Sequence, residues 1–168
     1  LQQDESISNE IISVTKDIIR RHPSVKQGDI AVIFLDKDNY IYNVIGDLKL
    51  AINESIGWSA NVSFETKTSD PDKFFISNIN NAKGLEFPFV ICFAMNLNRQ
   101  PSFRNALYTM MARSFLESHL MIGSGAEAQV VSSISDGLEF MSKNGHMGLR
   151  IPSAEEINRQ KELIVLDE

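Results

Sequence analysis

The order of apolar segments predicts an α/β domain built on a mostly parallel sheet with helices on both faces. Three observations carry this expectation. The runs "IAVIFLD" (30–36), "KFFISNI" (73–79) and "FPFVICFA" (87–94) are apolar with little alternation, as in strands covered on both sides. Segments with helical periodicity lie between most of the strand-like runs. Hydrophobic residues make up 43% of the 168 residues, enough for a sizeable core and against wholesale disorder.

The elements follow in order. Ser6 or Ser8 is placed to cap a helix through "NEIISVTKDIIRRH" (9–22), where Ile11, Ile12, Val14, Ile18 and Ile19 make one apolar stripe. Pro23 and Gly28 break it, and the first strand follows. "YIYNVIGDLKLAINESIGW" (40–58) reads as a helix with Gly46 its weak point. "NVSFET" (61–66) alternates like a strand, and the runs at 73–79 and 87–94 supply two more. "SFRNALYTMMARSFLES" (102–118) is helical in composition, with Tyr108, Met111 and Phe115 at core spacing. "HLMIGSG" (119–125) is a short strand, and "AEAQVVSSISDGLEFMSKNG" (126–145) a helix stopped at Asn144-Gly145. One domain spans 1–147, and a polar extension over the surface spans 148–168.

Composition narrows the functional classes. The net charge of −6 provides no global positive field for nucleic acid, so any such contact is local. Cys92, inside "FVICFA", suits a buried reduced thiol in a cytoplasmic protein, and the sequons at Asn53 and Asn61 are then accidental. No apolar run approaches the roughly 20 residues that span a bilayer, and no signal peptide opens the chain. The start "LQQDES", without methionine, suggests a piece of a longer protein.

The chemistry-bearing stretch is "NNAKGLEF" (80–87), where a ligand is expected to meet the sheet at a strand's carboxyl end. Gly84 permits close backbone approach, Lys83 suits phosphate, and Glu86 can accept from ribose hydroxyls. A polar turn between strands is the competing reading. Arg113 is the second anchor; amid apolar neighbours it either snorkels or finds an anion. Three other features carry less. "GSGAEAQV" at Gly123 lacks the Gly-Lys-Ser/Thr ending of a phosphate loop. "LIVLDE" at the carboxyl end looks like a strand with magnesium-binding acids but has no phosphate loop upstream. His22, His119 and His146 lie far apart without ligand spacing, which argues against zinc.

"NINNAKGLEFPFVICFA" resembles motif V of UvrD/Rep-like superfamily I helicases, roughly T-x-H-x-x-K-G-L-E-[FW]-x-x-V. "RNALYTMMARS" resembles their motif VI, and "VKQGDIAVIFLD" the motif IV strand that opens the second RecA-like domain. The resemblance covers about residues 7 to 125 and implies a RecA-like domain without the phosphate loop. It implies that Gly84 and Glu86, with Lys83 beside them, touch nucleotide. It also implies that Arg113 reaches the γ-phosphate across a domain interface. Asn78 and Asn80 stand where the family faces single-stranded DNA with Thr and His, and Arg104 and Tyr108 match the start of motif VI. ATP and Mg2+ are the implied cofactors of the complete protein, with none bound tightly by this fragment. The implied partners are single-stranded DNA and an N-terminal RecA-like domain of the same chain, with no membrane. Arg20, Arg21 and Lys26 are possible additions to a DNA surface, against a plain solvated helix end.

Several positions depart from the family pattern. Leu35 stands where motif IV has an arginine, and Ala112 and Met110 replace motif VI residues. The roughly 40 residues between the motif IV strand and motif V leave no room for a large inserted subdomain. The favoured expectation is the C-terminal domain of an ATP-dependent DNA helicase or translocase, inactive as an ATPase by itself. The alternative is a degenerate helicase-like module with a structural or protein-binding role. A stand-alone α/β enzyme of another kind lacks any nucleophile–base constellation.

Overall fold

The computed structural model describes residues 2–36, 39–63, 70–146 and 153–165. Five parallel strands form one sheet in the order β2-β3-β1-β4-β5. They are β1 (Ile30–Phe34), β2 (Ala60–Val62), β3 (Phe74–Asn78), β4 (Phe87–Ala94) and β5 (Ser114–Ile122). The helices are α1 (Gln2–Arg21), α2 (Tyr40–Ile56), α3 (Pro101–Met111), α4 (Ala128–Asn144) and α5 (Ala154–Val165). A 3-10 turn at Gln27–Asp29 leads into β1.

The sheet has a core on each face, as continuous apolar strands require. Ile30, Val32, Phe34, Phe74 and Ile76 meet α1 and α2 on one face. Ala31, Ile33, Phe75, Val90 and Cys92 meet α3 on the other, and Val130 and Ile134 of α4 pack at its margin. Ile11, Ile12 and Ile18 are buried as the α1 stripe predicts, and Thr15 shares it by donating from Oγ1 to the Ile11 carbonyl at 2.8 Å. The β4–β5 register shifts between Phe87 and Phe89, with the extra residue on β5, and these two rings lie in opposite cores. Phe87 stacks on Phe75 at 5.0 Å between ring centres. Pro88 sits at the shift, where a strand tolerates a missing N–H.

Several local expectations change. Ser6 and Ser8 do not cap α1, which begins at Gln2; the Ser8 hydroxyl is buried and donates to the Val44 carbonyl of α2 at 3.2 Å. The helix expected over 102–118 ends at Met111, and β5 starts at Ser114 rather than 119. Pairing along β4 claims "SFLES" for the sheet, so a non-local ladder overrides local helical propensity. Phe115, now on the edge strand, is 64% exposed, and Tyr108, still within α3, is 75% exposed, so neither is core. Of the strand expected over 61–66, Asn61 and Val62 are in β2, and 64–66 lie outside the described residues.

The carboxyl-terminal stretch is not all loop, since α5 occupies 154–165. Ser153 and Glu156 make a reciprocal capping box there: the Ser153 N–H reaches Glu156 Oε2 at 2.8 Å, and the Glu156 N–H reaches Ser153 Oγ at 3.3 Å. Leu163, Ile164 and Val165 are therefore helical rather than a strand, and Leu166–Glu168 lie outside the described residues.

Candidate nucleotide and nucleic-acid interface

Residues 79–86 connect two parallel strands separated by β1, so they run from the carboxyl end of β3 to the amino end of β4. The traverse lies on the α3 face, anchored by buried Ile79 and Ala82. Ile79 N–H donates to the Phe34 carbonyl at 3.1 Å, and Asn78 Oδ1 accepts from the N–H groups of Asn80 and Asn81 at 3.1 and 3.2 Å. That side-chain turn starts the traverse. Gly84, at φ +80°, supplies the left-handed residue near its end, where a Cβ would be strained.

This path divides the expected site into two places. Gly84 and Glu86 lie at the amino end of β4, not at a carboxyl end as expected, because parallel pairing sets the direction of the crossover. Arg113 joins them there. The Phe87 N–H donates to the Arg113 carbonyl at 2.9 Å, which joins the Lys-Gly-Leu-Glu segment to the turn between α3 and β5. Arg113 is half-buried, and its Nε donates to the Thr109 carbonyl at 3.2 Å. Among the described residues no carboxylate forms an ion pair with Arg113, Lys83 or Arg104. Arg104 and Tyr108 are exposed one turn apart on α3.

The second place is a cavity of about 460 Å³ at the carboxyl ends of β1 and β3. Leu35, Ile79, Phe103 and Ala106 form its apolar walls. Asp36, Asn80, Lys83, Asn96 and Asn105 add polar groups. Asp36 is buried, and its carboxylate accepts from the N–H groups of Met95 and Asn96 at 2.6 and 3.1 Å. In the sequence Asp36 is no more than the acid that ends a strand; its only signal is that position. The glycines of "GSG" pack against the same turn. A Cβ on Gly123 would lie 2.5 Å from Met95 Sδ, and one on Gly125 would lie 2.2 Å from Asn96 Oδ1. Close packing explains these glycines without a phosphate.

Other candidates resolve differently. Arg20 and Arg21 are paired with Asp17, and Arg21 also with Glu117, so neither offers a free charge to DNA. His22 and His119, distant in sequence, both approach the Glu117 carboxylate, at 3.4 and 2.9 Å. Arg21 lies among them, and no cluster of His, Cys, Asp or Glu fit for a metal occurs among the described residues. Leu35, expected at the position of a motif IV arginine, is buried with 4% exposure. No helix among the described residues is long and apolar enough to cross a membrane.

Comparison with known proteins agrees with this architecture. Residues 73–121, less than a third of the chain, match the model of the UvrD-like helicase C-terminal domain. The matched segment contains β3, the traverse, β4, α3 and nearly all of β5. The resemblance read from "AKGLEF" and the Arg113 segment is borne out over that stretch. The fold is similar to that of the C-terminal domain of a possible DNA helicase from Lactobacillus plantarum WCFS1. The TM-score is 0.51 at 16% identity, covering 74% of this chain and 71% of that one. At that identity the likeness establishes the shared fold. No curated protein matches the sequence.

Proposed function

We propose that this chain is the second RecA-like domain, over about residues 1–147, of a cytoplasmic ATP-dependent DNA helicase or translocase. One observation carries the reading: the Phe87–Arg113 backbone bond brings Gly84, Glu86 and Arg113 to one edge, where Arg113 has no acidic partner among the described residues. An uncompensated, half-buried guanidinium suits a phosphate arriving from outside the domain. In this role Glu86 receives the ribose hydroxyls, and Arg113 neutralises charge developing on the transferred phosphoryl group. Lys83 stands on the same traverse but lines the cavity, which suits a strand phosphate as well as a nucleotide one.

The residues present fit half of an ATP site. The sequence has no phosphate loop; in this reading that loop and the magnesium ligands come from an N-terminal RecA-like domain. ATP with its magnesium supplies the phosphoryl group and the energy of domain closure. This chain's residues grip, orient and neutralise. Asn80, which lines the cavity, would meet single-stranded DNA together with Asn78 of the same motif and with Arg104 and Tyr108 of motif VI, through phosphate and stacking contacts.

The test is DNA-stimulated ATPase of the longest native polypeptide containing this segment, compared with its Arg113→Ala variant. Loss of about 10³-fold or more in turnover, with folding intact, is expected for a trans-acting arginine. Equal activity of the two proteins would remove Arg113 from the chemistry. A second reading, a helicase-like domain kept as a scaffold, draws on Leu35, which puts a buried alkyl group where the family has an arginine. It predicts that the complete protein has no ATPase in either form.

A further inference from the structure

We propose that the outer edge of β5 pairs antiparallel with the same edge of a second copy of this chain, about a two-fold axis at Ser118. The inference stands apart from the helicase reading, since it draws on no residue given to nucleotide or DNA there.

The two edges of the sheet differ. β2, at one edge, has three residues, a shortness that blunts an edge against further pairing. β5, at the other, has nine, and among the described residues no strand takes its outer N–H and C=O groups. It carries no lysine or proline to deter pairing. Phe115 and Leu116 are instead apolar and exposed. The bulge lies between Ser114 and Glu117, and from Glu117 to Ile122 the strand keeps a regular register with β4. That regular length can accept one more strand.

The sequence of β5 selects the occupant. Outward from Ser118, "SFLESHLMI" is self-complementary: Glu117 and His119 come first, then Leu116 and Leu120, then Phe115 and Met121. A two-fold axis perpendicular to the sheet makes the two strands antiparallel and keeps each residue on its own face. It therefore admits only registers centred on a residue. Centred on Ser118, each Glu117 stands directly opposite the second copy's His119, as a cross-strand pair of opposite charge or a hydrogen-bonded pair. Centred on His119, two imidazoles would meet and Glu117 would face Met121. The side chains are already set for the first register. Glu117 and His119 share the α1 face, 2.9 Å apart and partly exposed, and Arg21 holds the Glu117 carboxylate in place.

A single pair of edges is smaller than the ~800 Å² per partner of a standard interface, so dissociation on the order of 10 μM is expected. The experiment is sedimentation equilibrium of the 168-residue chain from well below to well above that concentration, where a monomer–dimer equilibrium is expected. Leu116→Lys, at an exposed position, should weaken association about 10-fold or more, because the two-fold repeats every change on both copies. Disulfide capture reads the register separately. Glu117→Cys mixed with His119→Cys should cross-link under mild oxidation, and neither should do so alone, since like positions lie on the longer diagonal. Cys92 is buried and takes no part. Should Leu116→Lys fail to fold, the cysteine pair decides alone. A monomer at every concentration, or a dimer indifferent to Leu116→Lys, would overturn the proposal. So would a mixture that does not cross-link, or a single cysteine variant that cross-links as strongly as the mixture.

Discussion

The guanidinium of Arg21 grips both carboxylate oxygens of Glu117 at 2.7 Å, joining the end of α1 to the edge strand β5 across 96 residues of sequence. Arg21, above all, holds the Glu117 carboxyl below the usual carboxylate range. A depressed carboxylate contributes stability above its unfolded pKa and loses it as pH falls through the lower folded value. Glu117→Gln should therefore destabilise the protein slightly at neutral pH and narrow the gap to wild type below about pH 4. Urea midpoints for both proteins from pH 3 to 8 would show this, and a constant difference across that range would contradict it. The pair is solvated, so the effect is small.

Asp36 should matter more than any surface charge. Asp36→Ala would leave the N–H groups of Met95 and Asn96 without their acceptor, at about 1–3 kcal/mol for each if water does not replace it. Asp36→Asn, which keeps one acceptor oxygen, should cost less. Denaturant unfolding of the two variants tests the order, and the reverse order would discredit the role given to the carboxylate.

Gly123→Ala should be destabilising despite its small added volume. The new Cβ would fall 2.8 Å from the Met95 Cα as well as close to its sulfur, so backbone has to move. Overpacking of this kind costs about 1–3 kcal/mol. Gly46→Ala, in α2 with open space around the site, should instead stabilise by about 0.5–1 kcal/mol. Thermal melts of the pair would separate close packing from helix propensity.

Cys92 should be silent in the folded protein. Its side chain is fully buried, and burial pushes the thiol up to about 12. A thiol reagent at pH 8 is expected to label it only after urea unfolding. Rapid labelling of native protein would mean that β4 opens on the timescale of the reaction.

Arg113→Ala should separate stability from activity. The side chain makes one hydrogen bond, from Nε to the Thr109 carbonyl, and no ion pair among the described residues. A stability change within about 0.5–1.5 kcal/mol is expected, the range of one ordinary hydrogen bond. A variant that unfolds would make its ATPase uninformative and the conservative Arg113→Lys the one to assay.

The sequence by itself determined the layers of this protein. Continuous apolar runs at 30–34, 74–78 and 87–94 can be satisfied only as strands covered on both faces, and each is buried as that pattern demands. It also carried the family resemblance, because Lys83, Gly84, Glu86 and Arg113 stand in the order and approximate spacing of that family's short motifs. Tertiary structure decided the rest. Whether 114–118 is helix or strand depended on a ladder with β4, which a local window does not contain. The position of Glu86 at an amino rather than a carboxyl strand end depended on the parallel crossover, a property of topology. The meeting of His22 with His119 at Glu117, and of Asp36 with Asn96, joins residues far apart in the chain. Local periodicity reports which face a residue needs, whereas partners across a sheet are chosen by the summed pairing and packing of the whole chain.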